Sequence, residues 1–381
     1  MKIGLLGMGT IGSGVYEQLE NNARISVGRV LDLRKIPGVE HLLTTDFDDI
    51  LQDPSIDTVV ELMGGAEPAH TFAVKAMQAG KNFVSANKLM IARFLPELAK
   101  VAGENGVELR FSPAVGGGIP YLFNLLRAKR ADRILKVGGI VNGTTNFILD
   151  MMQAEDVDFD EALSTARELG YAEANPANDI DGLDAENKIA IAATLAFDRY
   201  VTVEQVLTEG IGRIRKQDIA AFRSMGRVCR FLARACVRDG KLSATVEPTL
   251  VGADSIFAGV RRNFNMIGFT GAYAGEMNFM GQGAGKDPTA FSVVEDLTDV
   301  LDGNSVKFAC GLKAAEVDEA PAPRKYYVRT CAEFSAKEET LFTADGAAAY
   351  ITRPLCPGEM HRMMGEIRAI DPDACFAAID E

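Results

Sequence analysis

Residues 2–12 read KIGLLGMGTIG, an apolar run followed by glycines at Gly7, Gly9 and Gly12 in the pattern G-x-G-x-x-G. Few local patterns restrict a chain more. The run has the composition of a buried strand and residues 10–21 have helical spacing, so the glycines occupy a strand–turn–helix. In that setting Gly7 makes the tight turn, Gly9 lets backbone approach a pyrophosphate, and Gly12 lets the helix pack on the strand. Thr10 and Ile11 open the helix, whose free N–H groups and positive dipole end favour phosphate. Asp32 closes the second strand 20 residues beyond Gly12, where a carboxylate accepts from a ribose 2′-hydroxyl. Arg34 and Lys35 follow at once and suit a 2′-phosphate, so these residues leave NAD and NADP both open.

Short apolar runs at 27–33, 57–63, 81–86 and 107–112 read as further strands, with helical patterns at 68–80 and 95–106 between them. Such alternation predicts an α/β fold with a parallel sheet and helices on both faces. A second region begins near Arg133 with a strand at 134–141. It then turns richer in helical patterns, with β-like passages at 241–251 and 269–282 and a helix after Thr289. Residues 316–324, EVDEAPAPR, read as a linker, because two prolines stiffen an acidic stretch and block helix continuation. A tail of strand-like KYYVRTCAEF and helix-like PGEMHRMMGEIRAI follows.

A net charge of −13 argues against nucleic acid or an anionic membrane as partner, since both call for a basic surface. No apolar run is long enough to span a bilayer and no cleavage-type leader follows the first residues, so a cytoplasmic protein is expected. The six cysteines, 229, 236, 310, 331, 356 and 375, lack paired CxxC spacing and read as buried thiols in a reducing compartment. The three histidines, His41, His70 and His361, do not cluster, which leaves acid–base chemistry to carboxylates and lysines.

Two places invite that chemistry. Lys88, in SANK, follows a strand whose C-terminal end faces the cofactor crevice of an open parallel sheet. Residues 179–188, DIDGLDAENK, precede an apolar helical run, and Asp184 and Lys188 are one turn apart on a shared face. Spacing alone is satisfied by a surface ion pair worth a few tenths of a kcal/mol. A calcium loop is excluded by ligand order. The third reading is a lysine, set by a carboxylate, that gives a proton to a carbonyl oxygen as hydride reaches its carbon.

GMGTIGSG, SANK, VGGGIP, VNGTTNFIL, LGYAEANP…DIDGLDAENK and GQGAGKDPTA occur in the order and spacing of homoserine dehydrogenases, which residues 1–315 resemble. The resemblance implies a Rossmann-type domain over 1–132 with 286–315 packing back onto it. A 133–285 α+β substrate and dimerisation domain follows, then the 316–324 linker and a short α+β tail over 325–381. It implies interconversion of L-aspartate 4-semialdehyde and L-homoserine with NAD or NADP, in threonine and methionine biosynthesis, by a homodimer or higher homo-oligomer. Lys188 matches the family's proton-donating lysine; Asp184 and Glu173 match carboxylates that hold the substrate, with Asp179 a further substrate contact. Lys88 matches the lysine reaching toward cofactor and substrate, Thr10 and Ile11 the turn residues on the pyrophosphate, and Gly170 and Gly285 glycines near the nicotinamide. Asp181 and Glu186 are expected in solvent.

Two departures stand out. The family pattern E-x-x-V-x-G-x-I binds a structural sodium; Val115, Gly117 and Ile119 match it, but Ser112 holds the glutamate position, which weakens a site for a hard cation. The tail is short for the ACT regulatory domain of longer members, and a truncated ACT-like or unrelated cap is expected. The competing functions are a related dehydrogenase for another amino-acid semialdehyde and a catalytically silent dinucleotide sensor.

Overall fold

The computed structural model describes residues 1–381 except 306, 307, 310, 319, 320, 345 and 381. Cys310 and residues 319 and 320 of the expected linker thus lie outside the described residues. The N-terminal strands are β1 (Lys2–Leu6), β2 (Ser26–Leu31), β3 (Leu43–Thr44), β4 (Thr58–Glu61), β5 (Asn82–Ser85) and β6 (Leu109–Arg110). They form one parallel sheet in the order β3-β2-β1-β4-β5-β6. This is the doubly wound arrangement, and its order reverses between β1 and β4, opening a crevice at their C-terminal ends.

The helices of this domain are α1 (Thr10–Leu19), α2 (Asp48–Leu51), α3 (Ala69–Gln78) and α4 (Lys88–Asn105). Buried Ala73, Met77, Leu95 and Leu98 of α3 and α4 cover one face of the sheet with Phe83 and Val59. Val15 and Leu19 of α1 cover the other, against Ile3, Leu5, Val30 and Val60. Helix α4 begins seven residues earlier than its apolar spacing suggests, because the Asn87 side chain accepts from Met90 N and caps it. Pro96 lies inside α4 and removes a bond to the Ala92 carbonyl; the Tyr200 hydroxyl donates to that oxygen at 3.3 Å and to the Arg93 carbonyl at 2.8 Å.

The second domain places α5 (Tyr121–Lys129), α6 (Gly143–Glu155), α7 (Phe159–Glu168), α8 (Ala177–Ile180), α9 (Leu183–Phe197) and α10 (Lys216–Ser224) around a large sheet. Its strands are β7 (Ile134–Ile140), β8 (Leu207–Thr208), β9 (Arg227–Arg238), β10 (Lys241–Gly252), β11 (Phe264–Gly271) and β12 (Gly275–Gln282). Strand β9 has no counterpart in the sequence expectations: the four-residue spacing of Arg230, Arg234 and Arg238 mimics a helix face, and twelve-residue pairing with β10 overrides it. Helix α9 is buried on nearly all sides, between β7, β9 and β10 and helices α4 and α5. After β12, helix α11 (Lys286–Leu301) adds Ala290, Val293 and Leu297 to the α1 side of the first domain's core.

The C-terminal segment consists of β13 (Tyr326–Thr330), β14 (Lys337–Ala344), β15 (Ala347–Thr352), α12 (Pro357–Arg368) and β16 (Cys375–Ile379). The second sheet runs β12-β11-β7-β9-β10-β16-β13-β15-β14, with β8 also paired to β10, and it is continuous because β16 pairs in parallel with β10. Six residues, 331–336, cross from β13 to β14, with Phe334 fully buried among Val328, Met360, Met364 and Phe376. Polar ties reinforce the joint. Asp218 of α10 accepts from Tyr327 Oη at 2.6 Å and Arg329 Nε at 2.8 Å, and Arg368 donates two bonds to Glu209 at 2.6 and 2.8 Å.

Asp218 is fully buried and Arg329 nearly so. Replacing Asp218 by alanine leaves a buried guanidinium and a tyrosine hydroxyl without their acceptor, at an expected cost of about 3–5 kcal/mol in denaturant unfolding. Loss under 1 kcal/mol would mean that the tail is not anchored through this group.

Candidate active site

At the glycine turn, a Cβ on Gly12 would lie 2.1 Å from the Gly7 carbonyl oxygen, so helix α1 can pack this closely only with glycine there. A Cβ on Gly9 would meet nothing within 4 Å. The surface over Gly9 is therefore open backbone, followed by the start of α1 with Thr10 exposed and Ile11 half-buried. Open backbone at a helix start is a surface that a pyrophosphate can approach. Asp32 stands beside it, accepting from Met8 N at 2.9 Å and from Arg34 Nε and Nη2 at 2.9 and 2.8 Å. The Arg34 guanidinium holds the Asp32 carboxyl well below the usual carboxylate range, while the arginine itself is largely exposed.

The acidic stretch forms a second centre. Gly182, at φ +91°, takes the cap position before α9, and a Cβ there would lie 2.7 Å from Thr208 Cγ2. That turn aims the first face of α9 inward. Asp184 and Lys188 are 3% and 7% exposed, so the surface ion pair compatible with their spacing is not what forms. Lys188 Nζ donates to Asp184 Oδ2 and to the Val141 carbonyl, both at 2.7 Å. Lys88, first residue of α4, places its ammonium 2.9 Å from Asp184 Oδ1. Asn142, which caps α6, donates through Nδ2 to Asp184 Oδ2 at 2.8 Å and to Asp179 Oδ1 at 2.7 Å. Asn142 was not singled out in the sequence, although its place before a helix beginning GTTN is an N-cap signal.

The electrostatics follow from burial and sign. Burial disfavours charge on Lys188 and pushes its pKa below the ordinary lysine value; Lys88 pushes the same way, while Asp184 opposes. Asp184 acts in the same sense on Lys88 and, as the largest influence there, raises it above the ordinary lysine value. Burial alone would push the Asp184 carboxyl up, but the two ammonium groups prevail and leave it well below the carboxylate range. Desolvation raises Asp179. The centre thus holds one lysine inclined to lose its proton and one inclined to keep it.

The other residues singled out in the sequence lie at different distances from this centre. Glu173 is exposed, and its charge reaches Lys88. Asp181 is exposed, whereas Glu186 is half-buried and accepts from Thr208 Oγ1 at 3.3 Å rather than standing free in solvent. Gly170 closes α7 at φ +74° and Gly285 caps α11 at φ +121°. In the 112–119 loop, Ser112 N and Oγ donate to Asp296 at 2.9 and 2.6 Å, and the Ile119 carbonyl accepts from Tyr121 N at 2.7 Å. A sodium there would rest on the carbonyls of Val115, Gly117 and Ile119 without a carboxylate in the glutamate position, a poor fit for a hard cation. Among the described residues, no three His, Cys, Asp or Glu side chains gather into a metal site.

Lys88 spans the two halves: it starts a helix of the dinucleotide-binding domain and pairs with a carboxylate of the second. A glycine-rich strand–turn–helix joined in this way to a buried lysine–carboxylate pair is the arrangement of a nicotinamide-dependent dehydrogenase. Comparison with known proteins supplies the family. Residues 7–112 match the model of the homoserine dehydrogenase NAD-binding domain, and residues 120–298 that of homoserine dehydrogenase. Homoserine dehydrogenase of Synechocystis sp. is 42% identical over 318 residues, covering 79% of this chain and 73% of its own length. That of Bacillus subtilis is 40% identical over 316 residues, covering 79% and 73%. The crystal structure of a homoserine dehydrogenase from Thiobacillus denitrificans superposes with a TM-score of 0.88 at 31% identity, over 100% of this chain and 98% of that one. A hyperthermophilic archaeal homoserine dehydrogenase in complex with NADPH shares the fold, with a TM-score of 0.70 at 23% identity over 81% of this chain and 99% of that one. The chain belongs to the homoserine dehydrogenase family.

Alanine at Gly12 forces its methyl onto the Gly7 carbonyl, and the turn must open. Dissociation constants for reduced dinucleotide, read by its fluorescence, should rise at least about tenfold, the result of shifting a packed backbone by 1–3 kcal/mol. Unchanged affinity would exclude this turn as the phosphate site.

Proposed function

We propose that this protein interconverts L-aspartate 4-semialdehyde and L-homoserine, using Lys188 as its proton donor and acceptor. The observation that carries the reading is the buried Asp184–Lys188 pair, with the part-exposed Lys88 set against the same carboxylate, at the joint between cofactor and substrate domains. The bound dinucleotide supplies or takes the hydride. Everything else falls to the chain. Asp184 orients Lys188 through a 2.7 Å bond, and the Val141 carbonyl fixes a second N–H of the same ammonium. The third N–H is left to meet the substrate oxygen and deliver a proton as charge develops on it. Lys88 adds positive charge on the same side, which favours the developing alkoxide. Asp179, Asp184 and exposed Glu173 supply negative charge for the substrate ammonium, and the N-terminus of α6 beside Asn142 favours its carboxylate.

The Asp32–Arg34 pair reads the adenosine ribose. Asp32 suits the 2′-hydroxyl of NAD, whereas Arg34 must turn away from Asp32 to meet the 2′-phosphate of NADP. Steady-state kinetics with each cofactor test this assignment: Arg34→Ala should lose NADP use selectively. We read residues 325–381 as an ACT-like extension of the catalytic sheet and not as an effector sensor, so added threonine should leave both rates unchanged. A homodimer or higher homo-oligomer through the second sheet accounts for the half-exposed Met277 and Met280 on its outer strand β12. Light scattering at micromolar concentration should then give at least twice the chain mass of 41.0 kDa.

Lys188→Ala should lower kcat by about 10²- to 10⁴-fold while dinucleotide binding persists. Near-normal turnover would remove the assigned role. The pH dependence has a definite sign. Homoserine oxidation needs Lys188 neutral, so its rate rises with pH and levels off above the lysine pKa, which lies below 10.5. Aldehyde reduction needs the ammonium and falls over the same range. Lys88→Met removes a like charge and frees Asp184 for Lys188, so the half-point of both curves should move up by about one pH unit.

A further inference from the structure

Strand β4 is Thr58, Val59, Val60 and Glu61, all buried in the middle of a parallel sheet, where an apolar residue at the last position would be ordinary. Glu61 is instead a fully buried acid with, among the described residues, no lysine or arginine as a hydrogen-bond partner. Its backbone is in register with Leu6 of β1 on one side and Ser85 of β5 on the other, so it stands at the floor of the crevice where the sheet order reverses.

Its two oxygens gather donors from two loops. Oε1 accepts from Met63 N at 2.7 Å and, more weakly, from Asn87 Nδ2 at 3.4 Å; Oε2 accepts from Ser85 Oγ at 2.7 Å. Ser85 Oγ in turn accepts from Asn87 N at 3.0 Å. Asn87 Nδ2 also donates to the Gly65 carbonyl at 2.6 Å, and Asn87 Oδ1 caps α4 by accepting from Met90 N at 3.1 Å. The next residue is Lys88. The loop after β4, which borders the cofactor crevice, and the turn that launches the lysine are thus tied to one carboxylate.

We infer that Glu61 is a positioning residue for Lys88: it fixes the start of α4 so that the ammonium meets Asp184 at the correct distance. The inference rests on the role given to Lys88 above. The carboxylate is acceptor-only and presents two oxygens, which lets it serve donors from both loops at once; an amide in its place offers one acceptor and turns a donor toward Ser85 or Asn87. Burial pushes the Glu61 carboxyl up to about 7. An acid kept in a dry strand against that penalty is more readily explained by its two-loop grip than by packing.

The experiment compares Glu61→Gln, Lys88→Met and the double variant in homoserine oxidation across pH, alongside thermal melting and titration with reduced dinucleotide. Glu61→Gln should lower kcat by about tenfold, with melting within about 5 °C of the parent. Its oxidation half-point should move up, in the direction of Lys88→Met. In the Lys88→Met background, Glu61→Gln should cost less than about twofold, since the group it positions is gone. Ser85→Ala, which removes one tie and leaves the acid in place, should show a smaller loss of the same kind, and it decides the matter if Glu61→Gln does not fold. An undiminished loss in the Lys88→Met background, or parental kcat in both Glu61→Gln and Ser85→Ala, would overturn the inference. Parental kcat in Lys88→Met would instead overturn the role of Lys88 itself. An impaired Lys88→Met beside unimpaired Glu61→Gln and Ser85→Ala would sink only the positioning role.

Discussion

Asp184 lies between two ammonium groups inside the protein, and much of the architecture follows from keeping it there. A carboxylate with 3% exposure must be compensated, and Lys88, Lys188 and Asn142 compensate it from three separate elements. Each element is then held in turn. Helix α9 is set by the left-handed Gly182 before it, α6 by its Asn142 cap, and α4 by Asn87. The same carboxylate makes its two lysines unequal: desolvation dominates at Lys188, attraction to Asp184 at Lys88. Lys188 is therefore inclined to lose its proton and Lys88 to keep its own.

Since Lys88 belongs to the parallel-sheet domain and Asp184 to the mixed-sheet domain, the ion pair is also a joint between them. Helix α11 makes the same connection by returning from the second domain to pack with α1. The C-terminal segment uses a different principle. It adds its strands to the existing sheet through β10 and β16 and secures the seam with buried charges at Asp218 and Glu209. Buried pairs of this kind are costly to break, because removing one partner leaves the other charge uncompensated. The six-residue crossover that carries Phe334 lets a short segment close its own apolar layer without a second helix.

Much of the fold was legible because its signals are local. The alternation of apolar runs and helical spacing predicted a parallel sheet, and the glycine turn predicted the crevice beside it. The misses have a common cause. Strand β9 carries arginines at helical spacing, and pairing with β10 along twelve residues and with β7 on its other edge makes it a strand. Helix α4 starts at Lys88 because Asn87 caps it and Tyr200, more than a hundred residues away, covers a carbonyl that Pro96 leaves free. Asn142 could be read as a cap from its neighbours, but not as a bridge between Asp179 and Asp184.

By itself the sequence determined the turn chemistry, the period of each element and the one-turn spacing of Asp184 and Lys188, because these depend on residues within a few positions of each other. Whether that pair was a solvated surface ion pair or a buried one was decided only by tertiary structure. Burial and desolvation come from the strands and helices packed around α9, and the second lysine arrives from another domain. The same holds for Glu61: as one acid after an apolar run it carries no signal, and it acquires one only where Ser85 and Asn87 are brought against it.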